Sequence, residues 1–330
     1  MSFKRLDPED FLVSVDSITA TAWSTNSPTL TTFFTSSVTS TNDSYYKNVY
    51  QTASTVSGSA VQFAIAYGNK NGSGSANFND LVPGVSPTRT VYGQYRNLIY
   101  GDENAQFIFG TVTASDFWAI SVDRARYKEH LLKGTFNITL SGSGIQTLKL
   151  TDNSGMVSTD TYLDCGRVYE IISGSNGVAA SGTGYSPSSG SYGLFLPDIA
   201  TIILNPLALS QSINLEPSRS SNSDGLNIGR LFTAVSGAAS FQANSEETVT
   251  SDYVFVRARN SEFNYSENPS FISGSTGDVI YSVFINSPQT YMTTVGFYND
   301  TNDLLAVAKL SKPLTKDFTK EALVRVKLDF

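Results

Sequence analysis

The chain carries one histidine and one cysteine, His130 and Cys165. Any Ser-His-Asp or Cys-His mechanism must therefore use His130, with a nucleophile and an orienting group placed beside it in space. Nothing next to it in RYKEHLLKG supplies that partner. The pattern puts His130 near the end of a short helix, where its charge would complement the helix dipole. Cys165 has no mate for an intrachain disulfide, and a Cys/His zinc cluster cannot be assembled from this chain alone.

GYSPSSG at 184–190 has the outline of a nucleophile loop but not the strand–GxSxG–helix context that gives such a loop its chemistry. The glycines at 72–74, 142–144 and 174–184 lack the GxxxxGK[ST] pattern and read as turns. Carboxylates are the remaining catalytic currency. Asp102-Glu103 and Glu246-Glu247 are adjacent pairs, and neighbours on a strand point to opposite faces, whereas a glycosidase needs two carboxylates facing across a cleft. Asp300, Asn302 and Asp303 could offer oxygens to calcium, but the glycine and distal glutamate of an EF-hand are missing. No catalytic, cofactor-binding or metal-binding residue is assigned from these patterns.

The elements that would carry such groups are mostly strands. Phe11-Leu12-Val13 and Val15 can start one, and Ala60 to Tyr67 alternates well enough for another. Between them the chain is rich in Ser and Thr, with Phe33, Phe34, Tyr45, Tyr46 and Tyr50 scattered through it. It reads as an extended arm with short strands, or equally as an ordinary edge of the core. Ser86-Pro87 starts a helix, with Val91, Tyr95, Leu98 and Ile99 at helical spacing and Gly101 as its stop. Asp123 caps a predicted second helix running to Lys133. TFNITL and IQTLKL flank a Gly/Ser turn and predict a hairpin. Arg167 to Ile172 is a strand, 173–193 a long Gly/Ser surface loop, Leu194 to Leu204 core, and Ser210 to Asp224 a polar excursion. Tyr253 to Ala258, Val279 to Phe284, Thr290 to Tyr298, Leu304 to Leu310 and Ala322 to Phe330 complete the strands, the last of them as a C-terminal meander.

Composition agrees. Of 330 residues, 15% are charged, against an average of about 25%. This excludes coiled coils, long helical bundles and acidic disordered chains. A net charge of −7 argues against nucleic acid as a partner. The most apolar stretch, Phe195 to Leu209, is broken by Pro197, Asp198, Asn205 and Pro206, so no membrane span is expected. The opening MSFKRLDPED turns acidic where a secretion signal turns apolar, so synthesis in the cytoplasm is expected. The fold class expected is mainly β with a few short helices. It has antiparallel, sandwich-like sheets and an extended N-terminal arm. The expected segments are 1–59 (arm), 60–134 (mixed α/β), 135–252 (β-rich with long loops) and 253–330 (antiparallel meander).

An ordered set of segments carries a resemblance. It comprises VQFAIAYGNKNGSGS, PTRTVYGQYRNLIYGDENAQFIFG, SVDRARYKEHLLKGTFNITLSG, GRVYEIISGSNG with SYGLFLPDIATIILN, YVFVRARNSEFNYSENPSF, and SPQTYMTTVGFYNDTNDLLAVAKLSKPLTKDFTKEALVRVKLDF. Together they resemble virion structural proteins of the contractile-tailed, T-even-like phages that infect cyanobacteria. The likeness runs from 1 to 330 and is strongest in 60–172 and 253–330. It implies a non-enzymatic virion component, of the tail or baseplate near the fibre attachment region. Such a component would be present in several copies, bind other virion proteins, need no cofactor and be assembled in the host cytoplasm. The alternatives are a neck or capsid-decoration protein and a glycan-binding tail module. The last of these should show exposed Trp or Tyr with carboxylates in one groove. The residues expected to touch partners are Trp23, Phe33, Phe34, Tyr45, Tyr46, Tyr185 and Tyr192.

Overall fold

The computed structural model describes residues 3–35, 46–74, 82, 85–143, 146–220 and 223–329. Strands β1 (Phe11–Thr21), β2 (Thr29–Leu30), β3 (Phe34–Thr35), β4 (Tyr46–Tyr50) and β5 (Val61–Asn69) precede helix α1 (Thr88–Tyr100). Next come β6 (Phe107–Phe109), β7 (Val112–Ala114), β8 (Asp116–Val122), β9 (His130–Leu131), β10 (Asn137–Ser141) and β11 (Thr147–Asp152). They are followed by β12 (Thr161–Leu163), β13 (Gly166–Ser175), β14 (Val178–Ala179), β15 (Gly193–Leu196) and β16 (Thr201–Leu204). Helices α2 (Pro206–Ile213) and α3 (Asn227–Ala238) then lead to β17 (Phe241–Gln242) and β18 (Asn244–Ala258). A short α4 (Val283–Asn286) precedes β19 (Thr290–Tyr298), β20 (Leu304–Lys316) and β21 (Ala322–Asp329). The fold is mainly β, with antiparallel sheets and few short helices, as expected.

The chain divides into two compact units, 18–247 and 1–17 with 248–330. The expected boundaries at 59 and 134 fall inside the larger one. That unit is built on a 13-stranded antiparallel sheet, a curled half-barrel, ordered β2-β17-β10-β11-β13-β15-β16-β8-β5-β4-β3. Its two end strands, β2 and β3, are separated by only three residues of chain. Leu30 and Phe34 therefore lie within about 14 Å of each other, so the short strands of the N-terminal segment draw the two edges of the sheet together.

Both faces of the sheet are covered, which explains why its central strands are apolar without clear alternation. Along β8, Trp118, Ile120 and Val122 enter one core with Phe63, Ile65 and Tyr67 of β5 and with Leu231 and Val235 of α3. Phe117 and Ala119 enter the other, with Val91, Tyr92 and Ile99 of α1. In the first core Trp23 packs on Phe241 with ring centroids 4.8 Å apart, and Phe136 stacks on Phe195 at 5.1 Å. Full burial of each such ring stabilises the unit by about 1.5–3 kcal/mol.

Helix α1 ends as expected, on Gly101 in the left-handed region (φ 62). At its start Pro87, not Ser86, occupies the cap position. The helix expected over 123–133 is absent. Asp123 accepts a hydrogen bond from Ala125 N and caps only the 3-10 turn Arg124–Arg126. His130 and Leu131 then pair with β18, so strand pairing across the chain overrides a segment whose Ala, Arg, Lys, Glu and Leu residues favour a helix. Helix α2 covers only Ser210 to Ile213 of the expected polar stretch, and α3 follows after its end. Asn205 caps α2 by accepting from Leu207 N.

In the smaller unit, β18 lies between β1 and β21. β21 pairs with it from Ser251↔Asp329 to Ala258↔Ala322, setting Val254 opposite Val326. β19 and β20 form a separate two-stranded ribbon. The expected meander is thus two pairings, since β21 returns to β18 instead of joining β20. Val279 to Phe284, expected as a strand, holds one isolated bridge (Ile272↔Val279) and the start of α4. Lys316 is fully buried and donates to Asn260 O (2.9 Å), Asn264 Oδ1 (2.8 Å) and Asp317 O (2.9 Å). Those acceptors satisfy all three donors of the ammonium.

Candidate functional site

A groove of about 440 Å³ in the larger unit gathers Glu129, His130, Asp160, Tyr162, Arg167 and Asp198. Three pieces of local structure build it. β9 places His130 across from Glu246 in the ladder, and the imidazole Nε2 lies 2.9 Å from Glu246 Oε2. The lone histidine is therefore buried on a strand and within hydrogen-bond distance of Glu246, a correction to the helix-end position the sequence suggested. Its chain neighbours gave no hint of an acid 116 residues away.

The second piece is the β12–β13 hairpin, which turns through Asp164 and Cys165. Tyr162 pairs with Arg167 across it, so the two side chains share a face. Tyr162 is 66% exposed, its ring open to the groove mouth. Gly166 closes the turn at φ 114, and a Cβ there would run into the Asp198 carboxylate. The third piece is the 3-10 turn Pro197–Ile199, stopped by Ala200 at φ 49. It delivers Asp198, which accepts from Arg167 N (2.7 Å), Nε (3.0 Å) and Nη2 (2.5 Å).

The electrostatics follow. Burial raises the Asp198 pKa, but the Arg167 side chain and backbone N–H outweigh it and hold the carboxyl below its ordinary value. Asp160 is lowered by the Lys133 ammonium, which reaches its two oxygens at 2.8 and 3.0 Å. The Tyr169 hydroxyl is buried against this pair without a hydrogen bond of acceptable geometry. Its pKa is pushed up to about 12, first by burial and then by Asp160. Burial, Asp198 and Asp164 raise the Cys165 thiol, which disfavours a thiolate nucleophile.

The other chemical candidates are engaged in turns. Ser186 and Ser188 bond each other at 2.9 Å. The segment expected as a surface loop sinks into the core at its far end. Ser191 and Tyr192 are buried, and Asn205 Nδ2 donates to Ser189 O and Ser191 O at 2.8 Å each. Asn299 Oδ1 accepts from Thr301 N and Asp303 N, so the Asp300 turn is held by its own side chains. Among the described residues, no three His, Cys, Asp or Glu side chains are placed to hold a metal.

The partner-contact candidates scatter. Trp23 and Tyr192 are taken up by the chain's own core, the latter with its hydroxyl 2.7 Å from Ser212 Oγ. Phe33 and Tyr185 pack half-buried against the same core. Phe34 and Tyr46 are exposed on the adjacent strands β3 and β4. Tyr45 lies outside the described residues. Large exposed apolar side chains that the candidates omitted occur in both units, among them Leu98, Ile108 and Tyr162 in the larger. Edge strand β1 exposes Phe11, Leu12, Val13 and Val15, and the ribbon exposes Tyr291, Leu305 and Val307. The run FLVSV carried that signal, but alternation alone does not say whether a strand's apolar row finds a cover.

No protein-family model, curated protein or solved structure matches this chain.

Proposed function

We propose that the chain is a non-enzymatic structural component of a bacteriophage virion, located in the tail or baseplate region and acting through subunit–subunit assembly. The observation that carries this reading is β1. Among the described residues it ends the sheet of the smaller unit, so along Phe11–Val15 it presents an outer edge of the kind that can pair with a further strand. Val13 and Val15 on it are 62% and 63% exposed. Natural proteins blunt such edges with charge, proline or bulges unless another strand is to be added there. The low-charge, β-rich composition and the resemblance of the ordered segments support the same reading.

Cryo-electron microscopy of intact particles tests it. The expected result is density for this chain in repeated copies, with a neighbouring chain along Phe11–Val15. A double substitution, Val13→Lys with Val15→Lys, should block incorporation while leaving tryptophan fluorescence unchanged. Particles without this chain, or normal incorporation of the double variant, would overturn the proposal.

A further inference from the structure

The groove around Tyr162 supports an inference that does not depend on how the chain assembles. Its charged groups are held in place before any ligand arrives. Arg167 is locked onto Asp198 by its Nε and Nη2, and Asp160 is clamped by Lys133. Each carboxylate can accept about four hydrogen bonds, so Asp160 and Asp198 keep acceptor capacity beyond these partners. At the rim stands the exposed Tyr162 ring, paired across the hairpin with Arg167.

Charge and geometry narrow the ligand class. Three carboxylates line the groove against one guanidinium, with the Lys133 ammonium bound to Asp160. An anionic ligand would meet net repulsion. A metal ion is not provided for, since no three suitable ligands converge among the described residues. The remaining match is a neutral polyhydroxylated molecule. Its vicinal hydroxyls can donate to fixed carboxylates and accept from the guanidinium, while the C–H face of its ring lies on the tyrosine, which is apolar across its ring and polar only at its tip. The cavity, about 440 Å³, falls within the roughly 300–1,000 Å³ typical of ligand sites. We propose that this groove binds a short stretch of neutral polysaccharide, with Tyr162 as the stacking platform and Asp160, Arg167 and Asp198 as the hydroxyl-reading groups.

The test is calorimetric titration of the full chain with maltohexaose, cellohexaose and chitohexaose, with a heparin hexasaccharide as the anionic comparison. The expected result is saturable binding of at least one neutral sugar with a Kd of about 1 mM or tighter, and weaker or no binding of the heparin fragment. Tyr162→Ala should weaken that binding at least about tenfold, roughly 1.4 kcal/mol, whereas Tyr162→Phe should retain it. Because Tyr162 is largely exposed, both variants should keep the parent far-ultraviolet circular dichroism. Absence of saturable binding by all three sugars would overturn the proposal. So would undiminished binding by Tyr162→Ala, or tighter binding of heparin than of any neutral sugar. Particle incorporation is a separate readout, so a defect there bears on assembly and not on this site.

Discussion

Asp224 and Asp198 are carboxylates of opposite temper. Asp224 is buried, accepts from the Thr88 hydroxyl and from Asn69 Nδ2 (3.5 Å), and has its pKa raised by burial and by Asp116. The fold thus holds its proton more tightly than the unfolded chain does. That contribution is full below the unfolded carboxylate value, near pH 4, and is lost as pH rises through the raised folded value. For Asp198 the folded value is lowered, since Arg167 outweighs burial. Its contribution is present above about pH 4 and is lost as pH falls through the lowered value. Urea unfolding from pH 3 to 7 should therefore show Asp224→Asn gaining stability relative to the parent as pH rises. Asp198→Asn should lose it, by roughly 1–3 kcal/mol at the upper end for a hydrogen-bonded charge. Parallel pH curves for the two variants would contradict this account.

The elements show what a linear pattern can and cannot specify. β5, β10, β11, β13 and α1 were all readable from the sequence because each has a local signal: an apolar run, a Gly/Ser turn, or a Pro start with a Gly stop. The register that turns β21 back to β18 had no such signal. Alternation of Val324, Val326 and Leu328 with Arg325, Lys327 and Asp329 correctly indicated two unlike faces, with Val326 buried and Arg325 exposed. It could not indicate which strand lies alongside. The His130–Glu246 pair and the Arg167–Asp198 clamp were hidden for the same reason, as each joins residues distant in the chain. Leu304, Leu305 and Val307, on the strand expected over Leu304 to Leu310, are exposed on the ribbon. Deleting residues 322–329 removes eight ladder pairs from β18 and uncovers Val254, which is 2% exposed. Expression of that deletion should give insoluble protein, or a soluble one whose tryptophan emission is native while strand circular dichroism is reduced. Full retention of the circular dichroism would show that β21 is dispensable.

At the scale of the molecule, the two units differ in how they are held. The larger has two extensive apolar cores. Among the described residues, the buried apolar side chains of the smaller are Val254, Ala258, Phe271, Ala322 and Val326. Both tryptophans, Trp23 and Trp118, belong to the larger unit. Heating should consequently resolve two transitions, an earlier one in circular dichroism and a later one in tryptophan fluorescence, a departure from two-state unfolding. Val326→Asp, which buries an unpaired charge, should lower the first and leave the second in place. Coincident shifts in both signals would mean that the units unfold as one.

The order of the units along the chain also sets a timetable for synthesis. The smaller unit opens with residues 1–17 and resumes only at 248. At roughly 5–20 residues per second, a ribosome needs about 10–50 s to make the intervening segment. Throughout that interval the Phe11-Leu12-Val13-Ser14-Val15 strand has emerged without β18, the neighbour it pairs with. The nascent chain therefore carries a sticky apolar strand that must be shielded, by a chaperone or by dilution, until its partner is translated.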